Sequence, residues 1–133
     1  MILDASALIA ILDNQDAHHE AIADLLAEDA ESPLHTHPLT LAEALVLPAR
    51  MGREQAALTQ LHDGIGITTV RPSSGLAPLD LARTRATTGL TMPDCIVLLT
   101  AENAREPLVT FDQRLAEAAR ARGVVALPTT SRA

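Results

Sequence analysis

The apolar positions of this 133-residue chain fall into short runs that alternate with longer amphipathic stretches. "MIL" leads straight into "DASALIAILD", the pattern of a buried strand that turns at once into a helix. In "DAHHEAIADLLAEDAE", Ile22, Leu25 and Leu26 share one helical face while Asp24, Glu28 and Glu31 lie off it. "PLHTH" reads as a short strand. "TLAEALVLPARMG" and "REQAALTQLHDG" read as two helices parted near Gly52, the first disturbed by Pro48, which lacks a backbone donor. The β-branched "IGITTV" predicts a further strand.

In the second half, the spacing of Leu79, Ala82 and Ala86 makes "LAPLDLARTRATTG" helical, with Gly89 as its C-cap. "DCIVLLTAENA" is apolar on every side and predicts a central, fully covered helix. "PLVTF" is a strand, "DQRLAEAARARG" a helix and "VVALP" a last strand, with a frayed tail expected over about 128–133. Strands that alternate with helices point to an α/β sandwich with a mainly parallel sheet, here one domain over 1–133. Ligands of such sheets bind beyond the carboxyl ends of the strands. Asp4 and Asp112 fall there, each just after a predicted strand.

Composition narrows the chemistry. At 47% hydrophobic residues the chain can build a core, and Phe111 is its single Phe, Trp or Tyr, so that core is aliphatic. A net charge of -7 argues against grip on nucleic acid through a general basic field. All ten basic residues are Arg. The absence of Lys excludes a phosphoacceptor receiver domain, which needs one opposite its phosphate. An Asp-x-Asp phosphatase motif fails too, because Ala5 and Ser6 follow Asp4. One cysteine, Cys95, forms no internal disulfide and fits a reducing compartment. The first residues lack the basic region of a secretory signal, and no apolar run approaches a membrane span. A cytoplasmic protein is the expectation.

Four acids stand out, each with an ordinary explanation. Thr40-Leu-Ala-Glu43 fits a capping box. Asp94 follows Pro93 at a helix start, where the dipole favours acids. Asp112 and Asp4 are natural N-caps. Together they say more, because a parallel sheet gathers strand ends and helix starts on one edge. Two carboxylates about 4 Å apart repel by roughly 4 kcal/mol at an effective dielectric near 20. Four would need a cation or raised pKa values to coexist. Mg²⁺ and Mn²⁺ prefer such oxygen ligands, keep waters, and can activate one of them against a phosphoryl group.

"LDASALIA", "TLAEAL", "MPDCIVLLTA" and "LVTFDQRLAEAA", in that order from Met1 to about Val125, resemble the PIN domain. The chain's size is similar to that of the VapC-type toxins of type II toxin–antitoxin systems. The resemblance implies a three-layer sandwich, with a five-stranded, mainly parallel sheet flanked by helices. It implies a ribonuclease hydrolysing RNA phosphodiester bonds with one or two Mg²⁺ or Mn²⁺ ions. Asp4, Glu43, Asp94 and Asp112 then hold the metal, with the hydroxyls of Ser6 and Thr110 behind them. RNA is the implied substrate, a cognate antitoxin the implied partner, and a homodimer the implied assembly. A PIN nuclease of RNA processing and a catalytically silent PIN-like binding module are the alternatives. The chain departs from the family pattern at Ala5, where Thr is common, at Cys95 in place of Ala, and at Leu115 in place of Phe. None of these removes an acid.

Other candidates take ordinary readings. His35 and His37 alternate on a strand but lack a third ligand, which favours exposed or edge packing. His18 and His19 are adjacent and cannot face one site. Cys95 reads as a buried, inert thiol, and Arg83, Arg85 and Arg114, near the acidic segments in sequence, as surface or salt-bridge residues, with RNA phosphate as the alternative partner.

Overall fold

The first strand, β1 (Ile2–Leu3), is two residues long and fully buried, and Asp4 ends it by capping α1 (Ala5–Leu12). The computed structural model describes residues 1–129, so the tail expected over 128–133 lies outside the described residues from 130 onward. After α1 come α2 (His19–Glu28), β2 (Leu34–Thr36), α3 (Pro38–Arg50) and α4 (Glu54–Thr59). The last runs into a π-helical turn, Gln60–Ile65, closed by Gly66 at φ 87°. Then follow β3 (Ile67–Thr69), α5 (Pro78–Thr88), α6 (Met92–Ala104), β4 (Leu108–Val109), α7 (Gln113–Ala121) and β5 (Ala126–Leu127).

All five strands pair in parallel, in the order β3-β2-β1-β4-β5. The chain moves outward from β1 through β2 to β3, then returns to β4 on the other side, which makes the β1/β4 boundary the topological switch point. Alternation along the strands divides the core. Ile2, Leu108 and Ala126 pack with Leu98 of α6 and with Leu115 and Ala119 of α7. Leu3, Val109 and Ile67 pack with Ala7 and Leu8 of α1, Ile22 of α2 and Leu61. Helices therefore cover both faces, the three-layer α/β sandwich that the pattern predicts, and α6 is the covered central helix, buried from Cys95 through Ala101.

Two local expectations are corrected. α3 begins at Pro38 rather than Thr40, because His37 caps it through its ring nitrogen, which accepts from the Leu39 N–H at 3.0 Å. Proline suits that first helical position, where its missing donor has no partner to lose. Pro48 lies in the last turn of α3, where losing one intrahelical bond is tolerated, and the helix runs on to Arg50. α5 forms as its spacing predicts and ends at Gly89; the residue it buries is Thr84, while Leu79 is 67% exposed. A hydroxyl faces inward there because Arg122 donates to it at 3.1 Å while pairing with Glu102 at 2.9 Å.

The loop before α5 rests directly on α6. At Gly75 (φ +71°) a Cβ would meet the Ile96 carbonyl oxygen at 2.6 Å and Thr100 Oγ1 at 2.7 Å. Gly75→Ala is therefore expected to destabilise the protein by about 2–4 kcal/mol, from left-handed strain plus overpacking. Urea denaturation checks this; a loss under about 0.5 kcal/mol, typical of a neutral surface change, would contradict the close approach.

Candidate active site

Because Leu3 pairs with Val109, the residues that follow, Asp4 and Thr110, emerge side by side at the carboxyl edge of the sheet. The Asp4 N–H donates to the Val109 carbonyl at 3.1 Å. The Asp4 side chain is 4% exposed and accepts three hydrogen bonds. Ser6 Oγ (2.7 Å) and the Ala7 N–H (2.9 Å) reach Oδ1, and Thr110 Oγ1 reaches Oδ2 through a short bond. Each hydroxyl is itself oriented by a backbone donor: Phe111 N–H to Ser6 Oγ at 3.0 Å, and Asp112 N–H to Thr110 Oγ1 at 3.0 Å. Both hydroxyl protons are thus committed to Asp4. Oδ1 has its two lone pairs engaged, while Oδ2 keeps one free.

Asp112 caps α7, accepting from the Leu115 N–H at 3.2 Å, and remains exposed. Asp94 is half-buried in the first turn of α6, where its N–H donates to the capping Thr91 hydroxyl at 3.4 Å. The helix-start readings of Asp4, Asp94 and Asp112 therefore hold as local structure. The reading of Glu43 does not. With α3 starting at Pro38, Glu43 stands in the second turn, too far along to close a capping box, and its carboxylate is exposed. Its orientation is left to something other than helix capping.

The electrostatics tie the four acids together. Burial pushes Asp4 above the ordinary carboxylate range; the Thr110, Ser6 and Ala7 bonds pull against it, and the charge of Asp94 adds to the rise. Glu43 is pushed up by partial desolvation, then by the charges of Asp94 and Asp4. Asp94 is pushed up by burial and by Asp112, against the Thr91 bond and the charge of Arg114. Residues from the end of β1, from α3 and from α6 thus sense one another's charge, and Asp112 acts on Asp94. None of the four joins a salt bridge among the described residues. Nor do the described residues contain three or more His, Cys, Asp or Glu side chains already converged as a metal cage. An all-oxygen, mutually repelling set of this kind fits a hard cation that keeps much of its water shell, and does not fit a dehydrated ion in a closed cage. A concavity of about 430 Å³ between α3, α4 and β3, lined by Leu41, Leu58 and Ile67, includes none of the four acids.

The pH dependence has a definite sign. Asp4, Glu43 and Asp94 titrate above their unfolded values, so their contribution to stability is fully present below the unfolded pKa and is lost as pH rises through the raised values. Glu102, lowered by its Arg122 bond, acts in the opposite sense. So does Glu106, where the cost of burial is outweighed by the Met1 amine and His35. The useful readout is therefore a difference. In chelator, the melting temperature of Asp94→Asn relative to wild type is expected to climb as pH passes through the raised carboxyl range. A difference independent of pH would refute the coupling.

The histidines and arginines sort themselves. His37 is 1% exposed rather than at an edge: it caps α3 and shares Nε2 with the Pro72 carbonyl at 3.0 Å. His35 contacts Glu106 at 3.4 Å and His19 the Ala10 carbonyl at 2.6 Å. Arg85 bonds the Leu90 carbonyl. Cys95 is buried, as expected. Two residues set aside on sequence grounds lie close to the site: Arg114, whose charge acts on Asp94, and His18, which stacks on Phe111. The segment "TFDQR" carries both Phe111 and Arg114 and was the available signal for them.

No helix among the described residues is long and apolar enough to cross a membrane. No curated protein matches the chain. Among solved structures, it is similar to PAE2754 from Pyrobaculum aerophilum, with 28% identity over 95% of this chain and 89% of that one, at a TM-score of 0.59. VapC20 of Mycobacterium tuberculosis, a sarcin-ricin loop cleaving toxin, shares the fold at a TM-score of 0.66 and 17% identity, over 88% of this chain and 93% of that one. VapBC2 from Rickettsia felis, bound to a DNA fragment from its promoter, does so at 0.66 and 15%, over 94% and 95%. The family model for the PIN domain matches residues 1–121, and with the parallel sheet and its acidic switch point in place, the chain belongs to the PIN domain family.

Proposed function

We propose that the protein is a metal-dependent ribonuclease that hydrolyses RNA phosphodiester bonds, and the toxin of a toxin–antitoxin pair. The observation that supports the reading is the electrostatic coupling of Asp4, Glu43 and Asp94, with the charge of Asp112 acting on Asp94, near the β1/β4 switch point and with no salt-bridge partner among the described residues. Membership of the PIN domain family supports it, and the fold shared with a toxin that cleaves the sarcin-ricin loop supports the toxin assignment.

Asp4, Asp94, Glu43 and Asp112 would hold one or two Mg²⁺ or Mn²⁺ ions, directly or through water. Such a cation supplies positive charge opposite the phosphate and makes a water easier to deprotonate. The chain's own groups do the rest. Ser6 and Thr110 keep the Asp4 carboxylate in one orientation, with one lone pair of Oδ2 unengaged. Glu43, an exposed carboxylate of this set, would take the proton of the attacking water. That water's oxygen bonds to phosphorus, the bond to the leaving 3′ oxygen breaks, and the leaving oxygen takes up a proton.

The deciding experiment incubates the protein with cellular RNA and Mg²⁺ or Mn²⁺. Cleavage that stops with chelator and returns with the ion is expected. Absence of cleavage with either ion would refute the reading and leave the silent binding module. Growth arrest on induced expression, relieved by a co-expressed antitoxin, separates a toxin from an RNA-processing nuclease; a partner of this kind is in keeping with the VapBC2 likeness.

A further inference from the structure

Phe111 lies between Thr110 and Asp112, and its backbone is tied into the site. Its N–H donates to Ser6 Oγ at 3.0 Å, and Ser6 Oγ donates to Asp4 at 2.7 Å. The ring is half-buried against the cluster that Leu3 and Val109 build. Over it lies the His18 imidazole, with ring centroids 4.4 Å apart and planes within 5° of parallel. His18 is exposed and stands at the N-cap of α2, yet its side chain does not cap the helix. Neither ring nitrogen has a hydrogen-bond partner among the described residues. A flat ring is thus held parallel over an aromatic that precedes Asp112 and is tied through Ser6 to Asp4, in a chain with no other Phe, Trp or Tyr.

We propose that the His18–Phe111 stack is a nucleobase platform: a nucleotide flanking the scissile phosphate lays its base on the outer face of His18. The inference rests on the ribonuclease reading and adds a substrate subsite to it. Bases of single-stranded RNA are recognised by stacking on aromatic and histidine rings, and such stacking tolerates any base identity. It also answers the charge problem. A chain with net charge -7 holds RNA poorly through its general field, so face-to-face contact near the cleavage point supplies grip that does not depend on that charge. The platform requires a base without specifying which one.

The test measures binding of a fluorescein-labelled, single-stranded oligoribonucleotide, with Ca²⁺ in place of Mg²⁺ to hold cleavage down. Its partner probe lacks the base next to the cleavage point mapped with Mg²⁺, or, where no cleavage occurs, lacks each base in turn. His18→Ala should bind the intact strand about 5- to 150-fold more weakly than wild type. His18→Phe should bind within about twofold of wild type. Removing one base should weaken wild-type binding by a similar factor and leave His18→Ala unaffected, the coupling expected of two groups in contact. His18→Phe should melt with wild type, and His18→Ala no more than a few degrees lower, the loss expected for an exposed ring stacked on Phe111. Equal binding by wild type and His18→Ala overturns the platform, and so does equal loss in His18→Ala and His18→Phe, which would mark a charge or hydrogen-bonding role. Cleavage with Mg²⁺ is scored separately. Cleavage without a His18 effect defeats the platform alone, whereas stacking without cleavage defeats the ribonuclease reading alone.

Discussion

Replacing Asp94 by Asn is expected to lower Mg²⁺-dependent RNA cleavage by more than about 100-fold, the upper range for losing a mere outer partner of a metal site. The fold should survive. Asn keeps the volume of Asp94 and a side-chain oxygen able to accept from Thr91, and the bond from its backbone N–H to the Thr91 hydroxyl stays in place. The metal-free variant should also melt no lower than wild type. Asp94 is pushed up by burial and then by Asp112, and its charge in turn raises Asp4 and Glu43, so a neutral side chain relieves several repulsions at once. After screening by the solvent that reaches this half-buried group, the relief is of the order of 1 kcal/mol. Against it stands about 0.3–1 kcal/mol for losing an acid from the first turn of α6. Cleavage kinetics and thermal melts in chelator check both halves. Full activity would remove Asp94 from the site, and a drop of several degrees would make it a helix-end residue and little more.

The second large effect separates two jobs held by Asp4. As the N-cap of α1 it accepts from the Ala7 N–H, and as the buried group between β1 and β4 it accepts from Ser6 and Thr110. Asp4→Asn keeps one oxygen for Ala7 and Ser6 and leaves the Thr110 hydroxyl proton without its acceptor. It should cost about 1 kcal/mol or less in stability, since a buried charge leaves with the lost bond. Asp4→Ala loses the cap as well and strands both hydroxyls, for about 2–4 kcal/mol. Both variants should lose metal-dependent cleavage by more than about 100-fold. Urea denaturation set beside cleavage assays tests the pair. Retained activity in Asp4→Asn would reduce Asp4 to a cap, and equal stability of the two variants would refute the bonding just described.

Much of this was readable along the chain because it is local. A short apolar strand leading to an acid and a helix occurs at "MILDASALIAIL" and again at "PLVTFDQRLAEA", and both form with Asp4 and Asp112 as caps, although β4 stops at Val109, short of the "PLVTF" strand read from the sequence. Failures came where a second rule competed. At α3, a capping box at Thr40 and a His37 cap before Pro38 were both available, and the strand that ends at Thr36 favours the earlier start. At α5, the apolar spacing predicts the helix but not its buried residue, Thr84, whose hydroxyl bonds the Glu102-paired Arg122. His37 looked like an edge residue because nothing local revealed the Pro72 carbonyl, 35 positions away.

The sequence by itself determined the elements, their order and the acids at their ends, since periods of 2 and 3.6 and helix-cap chemistry act over a few residues. Which acids meet was decided only by the tertiary structure. Asp4 lies beside Thr110, 106 positions on, because β1 pairs with β4 rather than with an outer strand. Glu43 and Asp94 sense each other because α3 and α6, from opposite layers, touch. The stack of His18 on Phe111 likewise joins the start of α2 to the segment between β4 and α7. Strand order depends on how all the helices share two faces of one sheet, a property of the whole core that no short stretch of residues encodes.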